Sequence, residues 1–234
     1  MHLFYAPEMK NNIHRLSEEE SRHIVKVLRL QKGDYLHLTD GKGGLYRARL
    51  VDDHIRHCRV EVEEHQREYG KRPFYLHIAV APTKNIKRFE WFLEKATEIG
   101  VDEITPLHCF HSERKQMKTE RMERILVAAM KQSLKTYLPK INGMTPFDNL
   151  IGHSGHLQQF IACLEEGEAQ PLKDLYSPGE GALVVIGPEG DFSAGEMAYA
   201  KEKGFHPVTL GMSRLRTETA AVVSCHTINM LNGY

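Results

Sequence analysis

The chain is poor in cysteine, has a single tryptophan and nowhere runs apolar for long. Its 234 residues include four cysteines, Cys58, Cys109, Cys163 and Cys225, each 50 or more residues from the next. That spacing excludes a zinc knuckle and a CxxC redox pair, so the four read as reduced core thiols. No stretch approaches the roughly 20 apolar residues of a membrane-spanning helix, and residues 1–10 lack the basic-then-apolar order of a secretory leader. A cytoplasmic protein with no membrane partner is expected.

Net charge is absent too, with 31 basic and 31 acidic side chains, but the balance is uneven. Residues 71–140 carry 14 basic against 8 acidic groups, and residues 141–234 carry 5 against 11. One basic and one acidic surface are predicted. Histidine is plentiful at 14, yet the nearest pair at ligand-like spacing is His54 and His57 and no HExxH motif exists, so no metal is expected. A G-x-S-x-G nucleophile elbow is missing as well, and hydrolase chemistry is not indicated.

What is present is an ordinary globular composition, 41% hydrophobic and 26% charged, at a length for one large domain or two modest ones. Up to about Gly70 the pattern is short and alternating, at residues 35–39, 45–51 and 58–62, which predicts a small β-barrel. Residues 40–44, rich in glycine, read as a hairpin loop between two of these strands. The polar stretch 64–73 ends in Pro73, and the pattern then changes, so domains are expected at 1–70 and 71–234.

The second half alternates strands and helices. Strands are expected at residues 74–81, 101–107, 160–164, 182–187 and 206–210. Phe89, Phe92, Leu93, Ala96 and Ile99 repeat at helical spacing before Gly100, and Met122, Ile125, Leu126, Ala129, Met130 and Leu134 form a second apolar stripe. Ser193 and Glu196 form a capping box, and a last helix opens near Thr217 and ends at Gly233. This half is an α/β domain.

Two strand-to-helix turns are candidates to carry chemistry, the alternatives being a tight connection for the first and a helix cap for the second. In the first, Ile186-Gly187-Pro188-Glu189-Gly190-Asp191 occupies the carboxyl end of a strand, where open α/β sheets bind ligands. It is neither a dinucleotide fingerprint nor a Walker loop, and Glu189 and Asp191 would repel phosphate. A cationic or zwitterionic ligand fits better, a sulfonium methyl donor being one candidate among several. The second turn, Leu210 to Ala220, sets Arg214, Arg216 and Glu218 near a helix amino end. Two such turns in one sheet are expected to face one crevice. The region from His111 to Lys140, with Arg114, Arg121, Arg124, Lys131 and Lys135, reads with Arg22, Lys26 and Arg29 as a phosphate-binding surface for nucleic acid.

With these segments located, the whole chain resembles the RsmE family of ribosomal RNA (uracil-N3) methyltransferases. The resemblance rests on His23 to Arg29, residues 89–101, Gln132-Ser133 followed by Pro139, Gly187-Pro188-Glu189-Gly190, and Leu215-Arg216-Thr217-Glu218-Thr219-Ala220. It implies a PUA-like β-barrel followed by a SPOUT α/β domain with a trefoil knot, a device otherwise nearly absent from proteins. It implies S-adenosylmethionine held by Ile186, Gly187, Glu189, Gly190, Leu210, Gly211, Leu215, Arg216 and Thr217. The expected reaction methylates ring N3 of a uridine in 16S ribosomal RNA or the small ribosomal subunit, within a homodimer. Arg216 and Glu218 are the candidate catalytic pair and Arg114 a reserve from the partner subunit. The rival readings are an RNA-binding protein with a vestigial pocket and a SPOUT enzyme acting on transfer RNA. Three departures from the family pattern stand out: Asp191 for a glycine, Met212-Ser213-Arg214 for Pro-Arg-Ile, and Lys135 for an arginine.

Overall fold

The computed structural model describes residues 2–9, 12–153, 155, 157–163 and 169–234. Leu164, the last residue of one expected strand, lies outside them, as do Met1 and Lys10 at the ends of the segment read for a leader. The chain divides into two compact units, residues 1–71 with 127–138, and residues 72–126 with 139–234.

The first unit contains β1 (Leu3–Tyr5), β2 (Ile13–Arg15), α1 (Glu18–Arg22) followed by one π-helical turn (His23–Val27), β3 (Tyr35–Thr39), β4 (Leu45–Asp52) and β5 (Arg59–Gln66). Its sheet order is β1-β3-β4-β5-β2, antiparallel except for the parallel β1–β3 pair. Alternation turns Leu36, Leu38, Ala48, Leu50 and Val60 inward onto Phe4, Ile24 and Cys58. The loop at residues 40–44 is the expected hairpin, closed by Asp40 Oδ1 accepting from the main-chain N–H groups of Lys42 and Gly44 at 2.7 and 2.9 Å. It also holds a later part of the chain: Gly43 N–H donates to Thr136 O, and Leu138 N–H to Gly41 O, both at 2.9 Å.

The second unit contains β6 (Leu76–Val80), α2 (Ile86–Ile99), β7 (Glu103–His108), the start of α3 (Thr119–Gln132), β8 (Lys140–Ile141), β9 (Thr145–Pro146), α4 (Phe147–Gly152), β10 (Gln158–Ala162), β11 (Gln170–Pro171), α5 (Leu172–Leu175), β12 (Ala182–Ile186), α6 (Ala194–Glu202), β13 (His206–Thr209) and α7 (Thr217–Leu231). The strands form a parallel sheet in the order β11-β13-β10-β12-β6-β7-β8, with β9 also paired to β7. β6 and β12 at its centre are buried along their whole length, which is why they read as continuous apolar runs. From β12 the chain passes through α6 to β13, beyond β10, and then returns so that α7 packs on α2, β6 and β12. This is the connectivity expected of the SPOUT domain.

Local signals fix the helix ends. Asn85 caps α2 by accepting from Lys87 N–H and Gly100 closes it; α6 opens on the complete Ser193–Glu196 capping box. In α3 the apolar stripe holds through Met130, but Leu134 does not continue it: the residue takes φ 57°, is exposed, and lies past the helix end. The carbonyls of Ala129 and Met130 accept from Ser133 and Lys135 N–H, so the helix has already turned into its left-handed C-terminal cap. Arg72 pins the carboxyl end of α7, donating to Gly100 O at 2.6 Å, Asn229 Oδ1 at 2.9 Å and Asp102 Oδ2 at 2.5 Å.

Candidate active site

A cavity of about 610 Å³ opens where β10, β12 and β13 end and α7 begins. The position follows from topology, because a parallel sheet aims its strand ends and helix amino ends at the same edge. Ile186, Gly187, Glu189, Leu210, Gly211, Leu215, Arg216 and Thr217 line it, so the two turns meet at one crevice. Gly190 does not line it. It backs onto the segment before α3, and a Cβ there would sit 3.1 Å from the Cβ of His111.

The first turn is held from outside the cavity. Glu189 Oε1 accepts from Lys84 N–H at 3.0 Å, and His111 Nδ1 donates to Asp191 O at 3.0 Å. Asp191 sits at φ 62°, the left-handed region where glycine is the usual occupant. Its carboxylate accepts from Phe192 N–H at 2.8 Å, and an aspartate with such a local hydrogen bond tolerates this conformation. That gives a physical account of aspartate standing where a glycine is more usual.

The second turn is different. Among the described residues, none of the main-chain N–H groups of Gly211, Met212, Ser213, Arg214 and Leu215 has a hydrogen-bond acceptor. All five residues line the cavity, and Gly211 takes φ 122°. A run of main-chain donors without protein partners at a concave surface is an arrangement for receiving a polar ligand. Apolar Ile186, Leu210, Leu215, Ala162 and Ala169 complete the lining.

Charge is concentrated at the mouth. Arg88, Arg214 and Arg216 face the cavity together with Glu189 and Asp191. Arg216 is the exposed N-cap residue of α7. Glu218, in the first turn of α7, is buried and does not line the cavity; its carboxylate lies 3.8 Å from Arg88 Nε. Among the described residues the ion-pair partner of Glu218 is Arg88 rather than Arg216, with which it was expected to form the catalytic pair. Arg88 was not singled out in the sequence. The signal was a third strand-to-helix turn at the same sheet edge, from β6 to the Asn85-capped start of α2.

Arg114 stands outside the cavity lining, its guanidinium donating to Lys84 O at 3.0 Å and Thr83 O at 3.5 Å. The other basic candidates are in varied settings. Arg22 pairs with Glu18 at 2.6 Å and Arg121 with Glu90 at 2.5 Å. Lys26, Arg29 and Arg124 are exposed, with no ion-pair partner among the described residues. Lys135 is half-buried past the end of α3. Lys131 is mostly buried, 2.5 Å from the almost fully buried Glu20 in the first unit, and so neutralises a core carboxylate. All four cysteines are buried and free of disulfides, and burial, with nearby Glu196, pushes the Cys109 thiol up. Among the described residues no group of three or more His, Cys, Asp and Glu could hold a metal ion, and no helix is long and apolar enough to cross a membrane.

Comparison with known proteins decides the family. Residues 70–229 match the RNA methyltransferase domain and residues 16–63 the RNA methyltransferase PUA domain. Ribosomal RNA small subunit methyltransferase E of Aquifex aeolicus is 32% identical over 95% of this chain and 96% of its own. The chain belongs to the ribosomal RNA small subunit methyltransferase E family. A crystal structure of a probable rRNA-methyltransferase from Porphyromonas gingivalis superposes on this family member with a TM-score of 0.94 at 42% identity, covering 100% of this chain and 99% of that one. Ribosomal RNA small subunit methyltransferase E from Neisseria gonorrhoeae, solved bound to S-adenosyl methionine, gives 0.90 at 26% identity over 99% and 98%. The chain is thus an RNA methyltransferase with the expected architecture, a PUA-like barrel and a SPOUT α/β knotted domain.

Proposed function

We propose that this chain transfers the methyl group of S-adenosylmethionine to ring N3 of a uridine in 16S ribosomal RNA of the small subunit. The observation that carries the reading is the row of main-chain donors from Gly211 to Leu215, without acceptors among the described residues, around a cavity bearing two carboxylates. The residues suit the donor. Main-chain N–H groups can receive a purine edge, Ile186, Leu210 and Leu215 its faces, and Glu189 and Asp191 can stabilise a sulfonium and an ammonium. The bound donor supplies an electrophilic methyl group.

This chain must deal with the proton. Ring N3 of uracil is about as weakly acidic as a phenol, near ~10, so forming the anion at neutral pH costs about 4 kcal/mol. A guanidinium beside the uracil oxygens lowers that cost directly. Arg216 at the cavity is assigned that role, with the N3 proton passing to solvent water and Glu218 acting through Arg88, which it faces. Arg114 remains a reserve group from a partner subunit.

The unit at residues 1–70 is assigned to RNA binding, together with Arg22, Lys26, Arg29, Arg114, Arg121, Arg124 and Lys135. Lys131 supports it indirectly through Glu20. The protein is proposed to act in the cytoplasm as a homodimer. On α7, Ala221 and Ile228 are already buried within the chain, leaving Ala220, Val223 and Leu231 only partly so. The exposed apolar groups on α2 and α7 are Trp91 and Met230. Titration calorimetry with S-adenosylmethionine tests the donor site: about one site per chain, displaced by S-adenosylhomocysteine, is expected. No heat and no competition would overturn the reading. Light scattering giving a 26.8 kDa particle at micromolar concentration would exclude the dimer.

A further inference from the structure

Phe110 is 77% exposed, although it follows the buried Cys109 just past the end of β7. Its main-chain N–H donates to Glu196 Oε1 at 2.8 Å, while Glu196 Oε2 closes the α6 capping box through Ser193. The next residue, His111, is bound to Asp191 O, and Ser112 Oγ accepts from Cys109 N–H at 2.9 Å. The Glu196 carboxylate therefore fastens the backbone of Phe110 to the start of α6, and the His111 imidazole fastens the next residue to Asp191 of the turn that lines the cavity, with the Phe110 ring left in solvent. Its one ring neighbour among the described residues is His111, edge-to-face at 5.0 Å and 82°. A phenylalanine ring left in solvent on a backbone fixed in place suits a partner that brings a flat apolar face. Exposed Lys115 and Lys118 follow within one short segment, as does Arg114. Aromatic faces interleaved with basic side chains are the chemistry of single-stranded RNA recognition.

We propose that Phe110 is a stacking platform for a base of the RNA substrate at the mouth of the methyl-transfer site, a positioning and specificity residue for the reaction. The inference rests on the reading of the cavity as the donor site. It assigns the unpaired base next to, or at, the methylated position to the face of this ring. The ring takes no part in the chemistry and acts by holding the base.

The test compares Phe110→Ala, Phe110→Leu and Phe110→Trp in the full-length protein. Three quantities are measured for each: affinity for unmodified 16S ribosomal RNA, turnover on small subunits from a strain lacking the enzyme, and calorimetric affinity for S-adenosylmethionine. Stacking on one aromatic is worth about 5- to 150-fold. Phe110→Ala and Phe110→Leu are expected to weaken RNA affinity or raise KM for RNA within that range. Phe110→Trp should stay within about threefold of the parent, and donor affinity should stay within about twofold in all three. RNA affinity and KM unchanged in Phe110→Ala would overturn the proposal, as would leucine performing as well as tryptophan. So would a fall in particle mass on sedimentation of Phe110→Ala, which would assign the ring to a second copy of the chain. A parent protein without turnover would instead fail the proposed function, and the RNA-affinity arm would still decide the role of Phe110.

Discussion

If Glu218 works through Arg88, the two residues must behave as one unit. Glu218→Gln keeps the shape and most of the hydrogen-bonding capacity of the side chain but removes the charge that faces Arg88 Nε at 3.8 Å. At that separation two unit charges interact by about 1 kcal/mol in water and about 4 kcal/mol at an effective dielectric near 20. The glutamate is 9% exposed and the arginine 40%, so the pair belongs between these limits, at about 1 to 3 kcal/mol. A loss of 100-fold in turnover, about 2.7 kcal/mol, lies inside that range. The assay is initial-rate methyl transfer at saturating donor and RNA for the parent, Glu218→Gln, Arg88→Met and the double variant. Melting curves for each verify the fold. Each single substitution is expected to slow turnover by about 100-fold, and the double variant should be no slower than the worse single. Losses that multiply in the double variant would refute the reasoning and return Glu218 to an independent role such as proton acceptance.

Arg72→Met should destabilise the second unit by about 3 to 5 kcal/mol, because it strands Asp102 and unties Asn229 of α7 from Gly100. Thermal denaturation should show a melting point lower by about 6 to 20 °C, and an unchanged one would contradict the role of this hub. For Glu103, burial alone would raise the pKa, but donation from Lys140, Tyr75 and Asn142 outweighs it and brings the carboxyl down to about 2. A depressed folded pKa contributes stability that is complete above the usual carboxylate value and is lost as pH falls from there towards 2. Glu103→Gln should therefore flatten the acid limb of the stability curve between about pH 4.5 and 2, and an unaltered limb would contradict it. Reversing the charge of Lys26, Arg29 or Arg124 should weaken RNA binding at all sequences and reduce the salt slope by about one unit per lost contact. Reversal at Lys131 should instead lower the melting point, because it faces buried Glu20.

Much of this was legible because it is local. The β3 and β4 strands, the Asp40 hairpin loop, the Gly100 stop and the Ser193–Glu196 box each depend on residues within a few positions of one another. Both ligand turns were legible for the same reason, each being a strand end joined to a helix start. Strands of two or three residues, such as β1, β2, β8, β9 and β11, carry too few side chains to show a period. Long-range pairs were also beyond reach. Lys131 meets a glutamate 111 residues away, Glu218 meets Arg88 across two helices, and residues 136–138 dock on the hairpin loop because Gly41 and Gly43 offer bare backbone there. Leu134 shows the limit of periodicity, since the apolar spacing continues after the backbone has turned out of the helix.

The central claim is tested most directly by mass mapping of 16S ribosomal RNA from a strain deleted for this protein, followed by addition of the purified protein and S-adenosylmethionine to that strain's small subunits. The account predicts one uridine that lacks its N3 methyl group in the deletion strain and regains it on addition, the purified Arg216→Ala variant failing to restore it. A fully methylated 16S ribosomal RNA in the deletion strain, or a methyl group missing from transfer RNA instead, would contradict it.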